Sequence, residues 1–334
     1  MKKKLIISYQ YIISTENLLL AWQEFSVGKR SKKDVIEFEL NLADNILHLH
    51  QELANNIYCH GGYYDFFIAD PKLRHIHKAK VRDRLIHHAI YRQLYTFFDK
   101  TFISHSFSCR LDKGTHRAIT AFNKMAGQAS ANHKKTCWVL QCDIKNFFDS
   151  INHKILLDIL REYILDNRIL TLLSDIISSY ESISGCGLPL GNLTSQLLVN
   201  IYMNKFDQFV KYEIKAKYYI RYADDFVFIS DNKEWLILIL PLINRFLDEE
   251  LHLKLHPQKT HINTLASGID FLGWVNFTEH KTLRTKTKKR MMRRIINNPE
   301  PESLASYLGM LSHGDTYKIK QNLINNYWLD FKSK

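Results

Sequence analysis

Three aspartates in this sequence stand where carboxylates could take part in phosphoryl transfer. Asp143 lies near the end of an apolar stretch, residues 137–144, whose composition predicts a buried strand. Asp224 and Asp225 separate two β-rich runs within residues 218–230, which predicts a tight hairpin with acids at its tip. Converging carboxylates can hold two hard divalent ions, as two-metal displacement at phosphorus requires. An Asp-Asp pair in a surface turn is common by itself, so the hypothesis depends on the third acid.

Helices and short strands are predicted around these acids. A capping-box variant at Ser31 opens one amphipathic helix, whose apolar side is formed by Ile36, Leu40, Ala43, Leu47 and Ala54. The other expected elements are a basic hairpin of residues 64–68 and 73–77, helices over 83–98 and 115–127, and a loop-helix unit over 187–210. Asp149 precedes a helix expected to begin near Ile151, so N-capping is favoured over metal ligation for this acid.

Composition describes an ordered protein with an excess of positive charge. The chain has 334 residues, 46% of them hydrophobic and 24% charged, which excludes disordered and low-complexity classes. The formal net charge of +12 favours a polyanionic partner, although a basic protein without one has the same composition. From Lys281 to Arg294 there are eight Lys or Arg and no acid, which predicts a basic helix.

Other features bear on the compartment of the protein. The longest apolar run, residues 235–243, is interrupted by Pro241 and is too short to span a bilayer. The basic N-terminus lacks a continuous apolar segment and a cleavage site, and the five cysteines form no C-x-x-C pair. We therefore expect a cytoplasmic protein with reduced thiols and no membrane association.

The order of motifs resembles that of reverse transcriptases. The tetrad Tyr222-Ala223-Asp224-Asp225 is similar to the active-site tetrad of that family. The similarity covers about residues 15–300 and includes Asp143-Ile144-Lys145-Asn146-Phe147-Phe148, the Gly-Leu-Pro loop, His256-Pro257-Gln258-Lys259-Thr260 and Phe271-Leu272-Gly273-Trp274. The resemblance implies an α+β fold of the right-hand polymerase class. Its expected parts are an N-terminal helical extension (1–60), fingers (61–136), a palm of antiparallel sheet and helices (137–280) and a small basic helical thumb (281–334).

Within that family the chain resembles the reverse transcriptases of diversity-generating retroelements. These carry an aliphatic residue before the loop glycine and Ser-Gln after it, as in Leu190-Gly191-Asn192-Leu193-Thr194-Ser195-Gln196, where most relatives have Gln-Gly and Ser-Pro. The resemblance implies error-prone, adenine-mutagenised cDNA made from a structured template RNA with a small basic accessory oligomer. Since the Leu190 side chain cannot donate the hydrogen bond of an amide, looser nucleotide discrimination is expected.

The resemblance also implies roles for residues at the reaction centre. Asp143, Asp224 and Asp225, with the Ile144 main chain, would hold two Mg²⁺ ions, for which Mn²⁺ can substitute. Lys259 would lie near the leaving pyrophosphate and donate a proton, although a surface lysine is an equal reading. The dNTP would be bound by a further set in which Phe148 excludes the 2′-hydroxyl: Lys72, Arg74, Phe148, Leu190, Gly191 and Gln196. For these residues core packing and solvated hairpin charges remain alternatives.

Contacts with nucleic acid are expected from basic and hairpin residues. Arg82, Arg110 and Lys113 would contact the template backbone or form structural pairs. Gly273 and Trp274 resemble a primer-grip hairpin, although an ordinary core would have the same composition. The duplex phosphates would be bound by Lys286, Lys288, Lys289 and Arg290, unless these form only a solvated helix face.

Two other functions remain open on the sequence. A group II intron, retron or phage-defence reverse transcriptase would share the three aspartates but would more often carry Gln before Gly191 and Pro at position 196. A catalytically idle RNA-binding scaffold could keep the fold, but it would have no reason to retain all three carboxylates beside Phe148 and Lys72.

Overall fold

The computed structural model describes residues 3–69 and 73–331. The chain forms two compact units, each assembled from separate stretches of sequence. Unit 1 contains Met1–Ser104, Ile144–Lys215 and Leu242–Leu255, and unit 2 contains His105–Asp143, Ala216–Pro241 and His256–Lys334.

Runs of consecutive helices are separated by short strands in the described part of the chain. The first third contains α1 (Tyr9–Ile13), α2 (Thr15–Ser26), α3 (Lys33–Glu39), α4 (Leu42–Ala54), β1 (Tyr63–Ala69), β2 (Leu73–Ala79) and α5 (Val81–Phe98). The middle contains α6 (Thr115–Ala129), β3 (Trp138–Asp143), α7 (His153–Arg161), α8 (Asn167–Ser178), α9 (Leu193–Tyr212), β4 (Tyr219–Tyr222) and β5 (Asp225–Ser230). The remainder contains α10 (Lys233–Leu251), β6 (His261–Thr264), β7 (Ile269–Phe271), β8 (Trp274–Asn276), β9 (Lys281–Leu283), α11 (Thr285–Asn297), α12 (Pro301–Leu311) and α13 (Tyr317–Phe331).

An antiparallel sheet with the order β4-β5-β3-β6 lies at the centre of unit 2. Its strand β3 lies between β5 and β6, and Val139 and Leu140 are completely buried. Helix α6 packs on β4 and β5 and shares a core cluster with Val139. The core between sheet and α6 includes Phe122, Val227 and Phe271. Asp143 and Asp225 lie at strand ends of this sheet.

The C-terminal part of unit 2 has its own small core. The three strands β7-β8-β9 and the helices α11, α12 and α13 pack around Trp274, Met291, Ile295, Leu311 and Leu323. In α11 the apolar positions recur at helical spacing, so one side of a very basic helix is buried while the other remains in water.

Unit 1 consists mainly of helices and a two-stranded hairpin. The helix α5 packs against α2 and α9, and its side chains Leu85, Ala89 and Ile90 are at most 1% exposed. Strands β1 and β2 pair in antiparallel register from Tyr63 opposite Ala79 to Ala69 opposite Leu73, which confirms the predicted hairpin.

The single amphipathic helix predicted after Ser31 is wrong. Two helices, α3 and α4, replace it because the chain leaves helical geometry at Asn41, where φ is −120° and ψ is 39°. The apolar face was also assigned to the wrong residues: the buried residues are Val35, Ile46, Leu49 and Leu53, whereas Ile36, Leu40 and Leu47 are exposed. The predicted capping box is absent too, since α3 begins after Lys32 without a side-chain cap.

The longest apolar run lies in α10, which contains Pro241. Its apolar residues are divided between buried positions such as Leu236 and exposed positions such as Leu238. Over the ranges that the structure describes, no helix combines the length and hydropathy needed to cross a membrane.

Candidate active site

The pairing of β3 with β5 brings two of the predicted acids face to face. Asp143 is the last residue of β3 and lies opposite Asp225, the first residue of β5. Both residues are half-buried. The apolar strands fix this register, because a shift by one residue would turn their buried side chains to the other face of the sheet.

A two-residue turn of Ala223 and Asp224 joins β4 to β5, since Tyr222 and Asp225 are the last paired residues. Ala223 has a φ of 57°, a left-handed conformation that costs an L-residue roughly 1–2 kcal/mol. The fully buried Arg221 stabilises the turn: its Nη1 donates to the Ala223 carbonyl at 3.1 Å and its Nη2 to Ser106 Oγ at 3.1 Å. Sequence reasoning missed this arginine, although an Arg next to a catalytic-type turn is a usable signal.

Burial and neighbouring acids raise the proton affinity of Asp225. Burial and the neighbouring carboxylates of Asp224, Asp143 and Asp270 raise the pKa of Asp225 to about 8, and the Lys259 ammonium opposes this effect. Asp270, on β7, belongs to no recognisable motif and was not predicted. A buried carboxylate with other carboxylates around it favours bound cations.

Lys259 lies directly beside Asp143. Its Nζ is 2.7 Å from Asp143 Oδ1, and its side chain is 41% exposed. The ion pair supplies the positive charge that the carboxylates need. In this conformation the ligand oxygens of the three predicted acids do not all approach within 4.8 Å; the described residues that do so are Asp65, His75 and His77.

Ile144, the predicted main-chain ligand, directly follows Asp143. It forms an isolated antiparallel bridge with Leu255, whose hydrogen bonds run from Lys145 N to the Lys254 carbonyl and from His256 N to the Asp143 carbonyl. The bridge therefore does not use the Ile144 carbonyl.

An electrostatic prediction follows from Asp225. The folded protein keeps this proton to about pH 8, whereas the unfolded chain releases it near 3.8, so the charge disfavours folding as pH rises through this interval. In buffer without divalent metal we expect Asp225→Asn to melt above the wild type at pH 8, with the difference shrinking towards pH 4. Thermal melts at four pH values measure this.

Asp231, at the other end of β5, provides the control. A side-chain hydrogen bond from Lys135 and its charge lower the pKa of Asp231, so Asp231→Asn should give no gain in melting temperature at pH 8. A gain from Asp225→Asn that is equal at all pH values would contradict the electrostatic explanation.

The predicted nucleotide loop, in unit 1, is fastened to strand β2. The Leu190 carbonyl accepts from His77 N at 3.1 Å, and Asn192 Nδ2 donates to the His77 carbonyl at 3.1 Å. Gly191 has a φ of 106°, and a Cβ there would lie 3.0 Å from the Ile76 side chain, so both conformation and space favour glycine. Leu190 is half-buried and Gly191 is exposed.

Phe148 belongs to the same loop region, because its carbonyl accepts from Leu188 N at 2.9 Å. Its ring is half-buried, whereas the neighbouring Phe147 is 4% exposed. The two residues lie at the start of a short helical turn, not in a strand. N-capping by Asp149 is wrong: α7 begins later, and its N-cap is Asn152, which accepts from Ile155 N at 3.0 Å.

A polar cavity of about 200 Å³ adjoins Gln196. Burial and the charges of Lys29 and Arg84 lower the pKa of His88 to about 4. In the described chain both ring nitrogens of the buried His87 lack a hydrogen-bond partner. The complete lining is Phe25, Lys29, Arg84, His87, His88, Gly191, Asn192, Leu193 and Gln196. Lys29 and the two histidines were not predicted as site residues, because their assembly depends on contacts distant in sequence.

The structure gives the other predicted basic residues various surroundings. Arg74 is exposed on β2, and Lys72 lies outside the described residues. Arg82 pairs with Glu52 at 2.8 Å, which is the structural alternative considered above. Arg110 Nη1 donates to the Ser106 carbonyl at 2.9 Å, and Lys113 lies over the Phe107 ring at 5.2 Å.

The predicted primer-grip hairpin is the β7–β8 turn. Leu272 and Gly273 have φ values of 53° and 86°, so Gly273 supplies the backbone freedom that the turn needs. Direct contact of the Trp274 side chain with nucleic acid was expected, but the ring is 2% exposed because it packs in the C-terminal core. On α11, Lys286 and Lys289 are exposed, and Lys288 and Arg290 are half-buried.

Comparison with known proteins places this geometry in a family context. The profile of the family "Reverse transcriptase (RNA-dependent DNA polymerase)" matches residues 69–276, more than half of the chain. Protein YkfC of Escherichia coli is 26% identical over 273 residues, which cover 70% of this chain and 70% of that protein.

A group II intron-encoded protein is also similar. LtrA of Lactococcus lactis is 22% identical over an alignment that covers 85% of this chain and 59% of that protein. Among solved structures, telomerase from Candida albicans, in complex with a TWJ fragment of telomeric RNA, matches with a TM-score of 0.54 and 12% identity. That match covers 81% of this chain and 54% of the telomerase chain, and it confirms the expected fold class.

Proposed function

This chain belongs to the reverse transcriptase (RNA-dependent DNA polymerase) family, and we propose that it makes adenine-mutagenised cDNA from a retroelement RNA. Its class is that of RNA-directed DNA polymerases. The error-prone, diversity-generating activity is the proposal, and Leu190 is the observation that carries it.

Leu190 supports low fidelity through its chemistry and its fixed position. The Leu190 carbonyl accepts a hydrogen bond from His77 N, and Asn192, two residues later, donates to the His77 carbonyl. The half-buried Leu190 side chain therefore has little freedom to leave the loop. An isobutyl group offers no hydrogen bond to a base or sugar. A lost polar contact is worth roughly 1–3 kcal/mol, or about 5-fold to 150-fold in discrimination if only the correct pair makes it.

The acidic cluster suits divalent cations. Asp143, Asp224, Asp225 and the Ile144 carbonyl would hold two Mg²⁺ ions, which when bound stabilise the attacking and leaving oxygens. The raised pKa of Asp225 and the Lys259 ammonium on Asp143 both indicate that these carboxylates require positive charge. Oxygen donors of this kind match the preference of Mg²⁺, and Mn²⁺ can substitute.

Lys259 is proposed as the proton donor to the leaving pyrophosphate. Its half-exposed amine lies 2.7 Å from Asp143, so a short movement would bring it to a phosphate bound at the cluster. Its positive charge would also stabilise the charge that develops on the leaving group.

Positive charge elsewhere would bind the substrates. Arg74 and Lys72 would bind the triphosphate of the dNTP, and Gly191 and Gln196 would border the nucleotide. The exposed Lys286 and Lys289, with Lys288 and Arg290, would bind duplex phosphates through contacts that weaken in salt. A structured template RNA and a small basic accessory oligomer complete the proposed system, and the division into extension, fingers, palm and thumb is part of the same proposal.

Phe148 is proposed to exclude ribonucleotides. A half-buried ring fastened beside the nucleotide loop could occupy the space of a 2′-hydroxyl. We therefore expect Phe148→Ala to raise incorporation of rNTPs relative to dNTPs by at least about tenfold, the effect of roughly 1.4 kcal/mol. Single-nucleotide incorporation with each sugar measures the ratio.

Phe147 is the matched control for this change. Because the Phe147 ring is buried in the core, Phe147→Leu should leave sugar selectivity unchanged, even where it lowers the stability of the protein. Unchanged selectivity in Phe148→Ala would remove the proposed role.

A group II intron-type reverse transcriptase is the second candidate, because LtrA, a group II intron-encoded protein, is a recognisable relative. Primer extension with Mg²⁺ and dNTPs on two RNA templates, one structured and one unstructured, tests whether the protein is a polymerase. Synthesis on both templates supports the proposal. No synthesis even with template RNA and accessory protein supplied would favour an idle RNA-binding scaffold.

A further inference from the structure

Two histidines and one aspartate lie together on one face of the hairpin β1–β2. Asp65 pairs with His77 across the strands, and His75 lies two residues from His77, so all three side chains leave the same face. Their ligand atoms lie within 4.8 Å of one another. We propose that Asp65, His75 and His77 form a site for a zinc-class divalent ion, separate from the three catalytic-type aspartates.

The ligand atoms need only small adjustments. His77 Nδ1 is 2.6 Å from Asp65 Oδ1, and His75 Nε2 is 4.0 Å from the same oxygen. Two ligands at zinc bond lengths of about 2.0–2.1 Å stand roughly 3.3 Å apart in a tetrahedral site. The His77–Asp65 distance must therefore lengthen, and the His75–Asp65 distance shorten, by about 0.7 Å each. Side-chain rotation can supply both changes.

Neighbouring groups orient both imidazoles. Tyr180 Oη lies 3.1 Å from His77 Nε2, so with Nδ1 bound to a metal the Nε2–H donates to the phenol oxygen. Metal-bound histidines characteristically donate their second ring nitrogen in this way. Phe67 stacks on His75 with ring centroids 4.6 Å apart, which directs that ring towards the other two ligands.

The chemistry of the set selects the ion. Two imidazole nitrogens and one carboxylate oxygen suit zinc and its transition-metal neighbours, whereas Mg²⁺ prefers oxygen ligands. The side chains of Asp65 and His75 are 54% and 43% exposed, so solvent can occupy the remaining position. The site is thus open on one side, and the ion can reach it.

A bound metal ion would restrain the nucleotide loop as well as the hairpin β1–β2. His77 N and its carbonyl hold Leu190 and Asn192, so an ion on the His77 ring would restrain the strand that supports the nucleotide loop. This consequence rests on the proposed function, whereas binding of the ion does not.

Zinc titration of the full chain tests the site. In excess Mg²⁺, which competes at the carboxylate cluster, the wild type should bind one Zn²⁺ that His75→Ala and Asp65→Asn bind at least about tenfold more weakly. The expected rise in melting temperature with Zn²⁺ should be at least about 2 °C in the wild type and absent in both variants.

His48→Ala is the matched control, because the exposed His48 lies 3.4 Å from the half-buried Glu52 and the described residues offer this pair no third ligand. It should bind zinc like the wild type. No zinc binding by the wild type, or equal binding by His75→Ala, would overturn the site. Neither result depends on whether the protein synthesises DNA.

Discussion

Asp224→Asn should abolish DNA synthesis while RNA binding persists. The amide removes a negative ligand from the turn between β4 and β5, where Asp143 and Asp225 already face each other. Loss of several kcal/mol of transition-state stabilisation corresponds to at least about a 10³-fold loss in rate. Asp143→Asn should have the same effect. Primer extension on RNA measures synthesis, and a gel-shift with the same RNA measures binding.

Asp149→Asn is the control for this prediction. Asp149 is exposed on the short turn that follows Asp143 in sequence, and α7 uses Asn152 rather than Asp149 as its cap. This variant should extend primers at nearly the wild-type rate. Normal synthesis by Asp224→Asn, or an equal loss in Asp149→Asn, would contradict the assignment.

Leu190→Gln should make synthesis opposite template adenine more accurate. The new amide would lie in a loop that is hydrogen-bonded to His77 of β2 through residues 190 and 192. It could therefore donate to the nucleotide without a large change in the main chain. A hydrogen bond made only with the correct pair would lower misincorporation by about 5-fold to 150-fold. Sequencing cDNA copied from one RNA by both enzymes measures the change.

Ile183→Gln tests whether any glutamine near this loop has the same effect. Ile183 is 67% exposed and lies in the turn before the loop, so its replacement should leave the error spectrum unchanged. If Leu190→Gln also leaves the error spectrum unchanged, Leu190 is excluded as the cause of the errors opposite adenine.

The sequence predicted those elements whose determinants are local. The hairpin β1–β2 and the strands β3, β4 and β5 were expected from runs of apolar and β-branched residues, and the structure contains them. The opposition of Asp143 and Asp225 could be anticipated because both acids border apolar strands that have to pair. Short-range patterns therefore place the acids well.

Other features depend on contacts that no local pattern encodes. Arg221 is buried because Ser106, distant in sequence, accepts its hydrogen bond, and Asp270 raises the pKa of Asp225 only through the folding of β7. Trp274 was expected from the sequence to contact nucleic acid, but its ring packs in a core formed with helices at the end of the chain. The break at Asn41 divides one predicted helix into two, and Val35 rather than Ile36 is buried in the first of them.

The most direct test is the wild-type error frequency opposite each template base, measured by sequencing cDNA made from a primed mixed-sequence RNA with Mg²⁺. The proposal predicts errors opposite adenine at least about fivefold above those opposite the other three bases, as expected from a lost contact of about 1 kcal/mol. Low errors of equal frequency opposite all four bases would contradict it and would favour a group II intron-type enzyme.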